Sequence, residues 1–218
     1  MPRRRRTLYA AGAAVLVLGL LTIFAVIRWT QPDPQAIAAP AAAPAPAVES
    51  ACGLPGTPGE GTGGATSATW TNVAGRPLPL SSTDGPGRRD QHGPWSCFTR
   101  TPSGAVLAGY VIAMRIGLAD DRAAVIRQQT MPGPGQDVLL GTVSNSSAIN
   151  IPRGFAIAAY SQDRSTIRYR ISSNSVDYAC TTDVRWSDGD WRLVVEDDGS
   201  TSSGCVRGVP DAFTPWGP

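Results

Sequence analysis

The sequence of 218 residues predicts an α+β fold, in an extracytoplasmic domain that an N-terminal helix tethers to a membrane. Three observations predict this arrangement. A long uncharged apolar run near the start is typical of a transmembrane helix. The Ala/Pro-rich stretch that follows it is typical of a linker. Beyond the linker, an apolar helical segment precedes several segments with strand-like alternation, and helices followed by an antiparallel sheet are typical of the α+β class.

The first element is the apolar run from Leu8 to Ile27, twenty residues without a charged side chain. As a helix this run spans roughly 30 Å, the thickness of the hydrocarbon core. Four consecutive arginines precede it, and this basic end is expected to stay in the cytoplasm. We therefore predict a cytoplasmic tail over residues 1–7, a transmembrane helix over residues 8–28, and an extracellular location for everything that follows. A cleavable signal peptide is the alternative, with Ala36-Ile37-Ala38 as its cleavage pattern, but its apolar core would be shorter.

The second element is a predicted linker over residues 29–66. From Gln31 to Ser50 the chain is mostly alanine and proline, and the prolines block helix propagation and favour polyproline II. A looser Gly/Pro/Thr-rich stretch continues it from Gly53 to Gly64. We interpret the linker as a spacer that holds the folded domain, predicted over residues 67–218, away from the membrane.

Two helices are predicted at the start of the folded domain. Thr101 and Pro102 supply an N-cap and a first-turn proline, and the segment from Gly104 to Leu118 is apolar without strand alternation. It is interpreted as a buried core helix. Asp120 and Asp121 cap a second predicted helix, residues 122–130, which ends at a Met-Pro-Gly-Pro-Gly sequence.

Strands are predicted in the last third of the chain. Phe155 to Tyr160 is interpreted as a strand buried on both faces, and Thr166 to Ser172 alternates apolar residues with arginines. The segment from Val176 to Trp186 also alternates, and the Asp188-Gly189 pair after it is a tight-turn signal. With Asp188-Gly189 as a two-residue loop, Trp186 opposes Trp191 and Val184 opposes Leu193, so the apolar faces of both strands agree.

A curled antiparallel sheet around one long helix is the architecture of cystatin-like and NTF2-like cones. Because the predicted helices precede a meander of three or four strands, we favour such a cone for residues 67–218. A β-rich sandwich with one helix is the alternative.

The charge balance excludes one class of function. All 19 basic residues are arginine and 17 residues are acidic, but five of the arginines lie before residue 30. The rest of the chain is therefore slightly acidic, unlike a nucleic-acid-binding domain, which needs a net basic surface. No nucleic acid is expected as a partner.

The four cysteines, Cys52, Cys97, Cys180 and Cys205, all follow the predicted membrane helix. Outside the cytoplasm such thiols are expected to form disulfides, and three pairings are possible. We favour Cys52–Cys97 and Cys180–Cys205. In the hairpin register Cys180 falls opposite residue 197, and the Gly/Ser-rich loop that follows can bring Cys205 back to it.

No catalytic set is predicted from the polar residues. His92 is the only histidine, and its Gly/Pro-rich surroundings are more typical of a solvated turn than of a Ser–His–Asp site. Acidic residues around the hairpin could supply a glycosidase pair, but a solvated loop explains them more simply; they are Asp188, Asp190, Glu196, Asp197 and Asp198. Arg168 and Arg170 are interpreted as an ordinary polar strand face. We predict no cofactor, no metal site and no enzymatic activity.

Several motifs carry a family resemblance. They are Cys52-Gly-Leu-Pro-Gly56, the run from Pro94 to Ala108 that begins Pro-Trp-Ser-Cys-Phe, Trp186-Ser-Asp-Gly-Asp-Trp-Arg-Leu193 and Pro215-Trp-Gly217. With the basic tail, the membrane helix and the linker, they resemble an uncharacterised actinobacterial family of membrane-anchored domains associated with integrative and conjugative elements. The layout is also similar to that of the NTF2-like scaffold subunits of conjugation machines.

The resemblance implies a single-pass membrane protein with an extracytoplasmic interaction domain, in the role of a scaffold in a conjugation or secretion complex. The partners expected from it are envelope proteins and further copies of the chain. An exported domain that binds a small ligand or acts on the cell wall is the alternative.

Overall fold

A computed structural model describes residues 50–57, 59, 61–142, 151–208 and 212–218. The predicted tail (1–7), the predicted transmembrane helix (8–28) and the first part of the predicted linker lie outside these residues. Within them, no helix combines the length and the apolar character that a membrane crossing needs. The α+β class is confirmed, with more strands than helices.

The folded unit begins earlier than residue 67, the predicted boundary. A short helix, α1 (Gly63–Thr66), lies within the predicted linker, and its Ala65 is fully buried. Further upstream, Cys52 is disulfide-bonded and the backbone N–H of Thr57 donates to Asp84 at 2.9 Å. The prediction of a linker to residue 66 is therefore wrong at its C-terminal end. Although the composition is rich in Gly, Pro and Thr, the described residues here pack against the domain and form hydrogen bonds with it.

The central element is the helix α2 (Pro102–Leu118), which confirms the predicted core helix. The Thr101 hydroxyl accepts a hydrogen bond from the N–H of Gly104 at 2.9 Å, and Pro102 occupies the first turn. Every residue from 102 to 112 is buried. A helix that is apolar on all sides needs cover on all sides, and the remaining elements provide it.

Two shorter helices follow α2. The helix α3 (Arg122–Gln129) begins at Asp121, whose carboxylate accepts from the N–H of Ala124 at 2.9 Å, as predicted. The helix α4 (Pro134–Gly141) is not among the predicted elements. The Met-Pro-Gly-Pro-Gly sequence does end α3, but its second proline then takes the first position of a new helix, where a missing N–H costs nothing.

The main sheet is antiparallel and six-stranded, with the order β10-β5-β6-β7-β8 and with β9 also paired to β7. This confirms the predicted meander. Its strands are β5 (Ile151–Tyr160), β6 (Arg164–Ser173), β7 (Val176–Ser187), β8 (Asp190–Leu193), β9 (Gly204–Arg207) and β10 (Thr214–Pro215). Two small ribbons precede it, β1 (Thr69–Val73) with β2 (Arg76–Leu80), and β3 (Arg88–Arg89) with β4 (Trp95–Ser96).

The hairpin between β7 and β8 has the predicted register, with Trp186 opposite Trp191 and Val184 opposite Leu193. Its turn residues, Asp188 and Gly189, have φ values of 51° and 79°, which suit the two-residue turns that match strand twist.

Two details of the predicted strands are wrong. Cys180 does not face residue 197, because β8 ends at Leu193 and a turn at Glu196–Ser200 sends the chain back as β9. There Cys180 pairs with Cys205. The strand β5 is not buried on both faces, since Ala158 and Ala159 are both exposed.

Both disulfides join the cysteines that the sequence favoured. Cys52 bonds to Cys97 across 45 residues, and Cys180 bonds to Cys205 across 25 residues. In the chain-entropy account, loops of these lengths correspond to a stabilisation of about 4 and 3.5 kcal/mol.

The aromatic cluster, defined here as Trp70, Tyr110, Phe155, Tyr169 and Trp216, packs against α2. Trp216 is its centre, with ring centroids 4.9 Å from Trp70, 5.3 Å from Tyr110 and 5.6 Å from Phe155. The indole N–H of Trp216 donates to the carbonyl of Ala65 at 2.8 Å. The C-terminal segment is thereby held against α1.

Asp190 joins the hairpin to the segment before α2. Its carboxylate accepts from the N–H groups of Cys97 at 2.7 Å, Phe98 at 2.8 Å and Trp191 at 2.9 Å. Burial raises the pKa of the Asp190 carboxyl to about 6, although the three N–H donors favour its charged form. The solvated-loop interpretation is therefore wrong for Asp190, because its oxygens are used inside the fold.

A pH dependence of stability follows from this raised pKa. Between about pH 4 and pH 6 the folded state keeps a proton on Asp190 that the unfolded state has already released. The free energy of unfolding should therefore fall as the pH rises through this window. In urea titrations the Asp190→Asn variant should lose this slope, and Asp188→Asn, at the exposed turn, should retain it. An unchanged slope in Asp190→Asn would contradict the assignment.

Candidate functional site

A cleft of about 420 Å³ lies beside the C-terminal half of α2. One wall is the helix itself and the second is the inner face of β6 and β7. A third wall is the loop before β9. The helix contributes Tyr110, Ala113, Met114, Gly117 and Leu118, and the sheet contributes Tyr169, Ile171, Cys180 and Thr182.

Small residues on one face of α2 create the space. Gly109, Ala113 and Gly117 follow each other at four-residue intervals and all three line the cleft. Residues four apart lie above one another on a helix. A Cβ atom at Gly109 would lie 2.5 Å from the hydroxyl of Tyr169, whereas one at Gly117 would meet nothing within 4 Å. Gly109 therefore allows Tyr169 to approach the helix closely, and open space adjoins the helix at Gly117.

The loop wall consists of Gly199–Ser202 together with Cys205. The Cys180–Cys205 disulfide joins it to β7, and the N–H of Ser203 donates to the carbonyl of Thr181 at 3.0 Å. At its other end, the N–H of Glu196 donates to the carbonyl of Ser200 at 2.9 Å. The position of this wall thus depends on one covalent bond and a few backbone hydrogen bonds.

Two phenols form the inner end of the cleft. The Tyr169 hydroxyl donates to the carbonyl of Val106 at 2.7 Å, and the Tyr110 hydroxyl donates to that of Pro77 at 3.4 Å. Burial raises the pKa of both phenols above the ordinary value. Both side chains are therefore neutral at any physiological pH, and they present ring surface to the cleft.

Two arginines line the cleft. Arg76 begins β2, and its positive charge opposes the burial effect on the pKa of Tyr110, so it acts close to that phenol. Arg122 begins α3 and donates to the carbonyl of Leu139 at 3.4 Å. Among the described lining residues there is no aspartate or glutamate. The cleft thus combines apolar walls with positive charge.

The four cysteines singled out from the sequence lie in two separate places in the structure. Cys180 and Cys205 form part of the cleft, whereas Cys97 and Cys52 lie beside Gly87, next to the Asp190 contacts. Sequence reasoning missed the cleft, since Arg76 and Arg122 are 46 positions apart. The four-residue repeat of small residues in α2 was the one available signal.

His92 lies at the surface and away from the cleft lining. Its Nδ1 is 2.5 Å from Asp120, and both side chains are largely exposed. The loop that carries it is held from inside by Arg115, which donates to the carbonyl of Gly93. Among the described residues no group of His, Cys, Asp or Glu side chains could hold a metal ion.

The outer face of the sheet carries charges of both signs. Arg170 pairs with Asp177 at 2.6 Å, and Arg164 lies 3.4 Å from Asp183. The Arg170 guanidinium holds the pKa of Asp177 below its ordinary value. Arg168 is exposed on the same strand. This mixture supports the interpretation of an ordinary polar face.

The fold and the cleft define a disulfide-bonded α+β domain with one central helix on an antiparallel sheet. Residues 32–215 match the family described as Domain of unknown function (DUF8175), and the chain belongs to this family. No curated protein and no solved structure matches the chain.

The loop wall should depend on its disulfide. Replacing Cys180 and Cys205 by serine should lower the free energy of unfolding by about 3.5 kcal/mol. Because this bond joins the loop to β7, amide hydrogen exchange should accelerate at residues 199–207. The Cys52→Ser/Cys97→Ser variant is the matched control, and it should leave exchange at 199–207 slow. Equal exchange in both variants would show that the bond does not hold this wall.

Proposed function

We propose that the chain is a single-pass membrane protein whose folded domain acts outside the cytoplasm as a non-enzymatic interaction module. The observation that carries this proposal is the pair of disulfides, Cys52–Cys97 and Cys180–Cys205. Disulfides of this kind persist in oxidising compartments. The apolar run over residues 8–27, with its basic N-terminal flank, supplies the anchor and a cytoplasmic N-terminus.

The architecture that we infer is the cystatin-like or NTF2-like cone. Its support is the position of α2 against an antiparallel meander, with contacts to β5, β6, β7 and β8. The strand β5 also has register shifts near Pro152 and Ile157, and such bulges bend a strand. A bent sheet that packs around one helix favours the cone over the sandwich.

The role that we propose for this domain is that of a scaffold in an actinobacterial conjugation or secretion complex. Its support is the layout of basic tail, anchor, spacer and domain, together with the aromatic cluster that fills the interior along α2. A densely packed interior makes the surface of a domain rigid. A rigid surface suits the binding of protein partners. Envelope proteins and other copies of the chain are the proposed partners.

A small-ligand-binding role is the second candidate, and the cleft beside α2 favours it. Its volume is within the range of roughly 300–1,000 Å³ that is usual for small-molecule sites. A cell-wall-acting enzyme has less support, because Asp190, the most buried acid of the hairpin, is used to bind backbone N–H groups.

The compartment can be tested on intact cells. A C-terminal epitope tag should be digested by external protease on spheroplasts, and an N-terminal tag should be protected. All four cysteines should resist an alkylating reagent until a reductant is added. Replacement of Arg3–Arg6 by serine is the matched control and should weaken this orientation. Four alkylated thiols in untreated cells would overturn the proposal.

The interaction role needs a test of its own. The chain contains no lysine, so amine-reactive crosslinkers are unsuitable. A photo-crosslinking amino acid at Val206, which is 62% exposed on β9, should capture an envelope protein or a second copy in intact cells. The same group at Leu193, which is fully buried, is the control. Absence of adducts from Val206 and from other exposed positions would contradict the scaffold role.

A further inference from the structure

We propose that the cleft beside α2 binds a small amphipathic anion, a molecule with an apolar or aromatic body and one anionic head group. This inference goes beyond the interaction role, because it assigns a ligand to a site inside the domain. It holds or fails independently of the membrane topology and of the protein partners.

The shape and the walls define the body of the ligand. About 420 Å³ accommodates a small molecule and excludes a folded partner. Met114, Leu118, Leu139 and Ile171 line this space, and methionine adapts readily to irregular apolar surfaces. A fully polar ligand would leave these side chains without matching contacts. The walls therefore favour an apolar body.

The charge of the walls defines the head group. Arg76 and Arg122 both line the cleft, and the described lining residues include no carboxylate. A guanidinium keeps its charge at any physiological pH and can donate two parallel hydrogen bonds to a carboxylate, sulfonate or phosphate. The neutral phenols of Tyr110 and Tyr169 add no repulsive charge. A cationic ligand would meet two residues of like charge.

Hydroxyl groups at the loop wall extend the polar side of the cleft. Ser200, Thr201 and Ser202 line it together with Thr182 of β7. Hydroxyls donate as well as accept, so they can complete the hydrogen bonds of an anionic oxygen that the arginines leave open. One end of the ligand thus meets donors and the other meets apolar side chains.

Two ligands of nearly the same shape distinguish the contribution of the negative charge to the affinity from that of the apolar body. They are 4-(trifluoromethyl)benzoate and its neutral analogue 4-(trifluoromethyl)benzamide, titrated by fluorine NMR into the full chain in phosphatidylcholine nanodiscs, with empty nanodiscs as the blank. The benzoate should bind at least tenfold more tightly than the benzamide, because only it offers a full negative charge to the arginines. Equal affinities, or binding no stronger than to empty discs, would overturn the proposal.

Arginine variants locate the charge. Arg76→Gln and Arg122→Gln should each weaken the benzoate by about fivefold to tenfold and change the benzamide little. Arg168→Gln removes one positive charge from the exposed outer strand face, and it should leave both affinities unchanged. An equal loss in Arg168→Gln would mean that the long-range field of the protein, and not the cleft, attracts the anion.

A blocking variant keeps the test independent of folding. Gly117 lines the cleft, its position is exposed, and a Cβ there meets no atom within 4 Å. Gly117→Leu should therefore fold, with an unchanged or raised Tm because leucine favours a helix more than glycine does. It should still weaken the benzoate at least fivefold, whereas Gly117→Ala, with the same helical benefit and little bulk, should retain binding. Full binding by a folded Gly117→Leu variant would place the anion outside the cleft.

Discussion

The structure depends on one constraint, the burial of a helix that is apolar around its whole circumference. From Pro102 to Ile112 every residue of α2 is buried, so cover is needed on every side. The main sheet provides it on one side, and the ribbon β1–β2, α1 and the Trp216 segment provide it on others. The packing of distant parts of the chain onto one helix explains why the described residues among 50–57 and 61–66 are folded although their composition resembles a linker.

The start of this helix is fixed by polar contacts around a buried carboxylate. Asp84 has no exposed surface, and it accepts hydrogen bonds from the hydroxyls of Thr57 at 2.5 Å, Thr99 at 2.6 Å and Thr101 at 2.7 Å. Burial acts to raise the pKa of Asp84, but the hydrogen bonds outweigh it and the pKa lies below its ordinary value. Thr101 is also the N-cap of α2, so this network couples the cap to the upstream segment. Gly64 has to be a glycine here, since a Cβ would overlap the carboxylate.

The elements with strong local signals could be predicted from the sequence, and those that depend on distant contacts could not. The capped helix α2 and the Trp186–Trp191 register follow from caps, turn residues and alternation, all of which act over a few residues. The Asp84 network and the anchoring of Trp216 depend on residues far apart in sequence, for which no local pattern exists. The helix α4 was missed for a different reason, because the proline at its first position also belongs to the sequence that ends α3. The cleft is an intermediate case. Its small-residue repeat in α2 can be read from the sequence, but its arginines come from β2 and α3, and only the fold places both in one lining.

The two halves of α2 face opposite physical demands, and this contrast supports a ligand site more than any single residue does. The N-terminal half is covered by aromatic rings and fixed by hydrogen bonds, while the C-terminal half presents Ala113 and Gly117 to a space that larger side chains would fill. A glycine in an exposed helix position such as Gly117 costs about 1 kcal/mol relative to alanine. No close contact explains that cost, because a Cβ at Gly117 would meet no neighbouring atom. A side chain larger than alanine at this position would reach into the cleft, so a small residue here leaves the space beside Arg76 and Arg122 open.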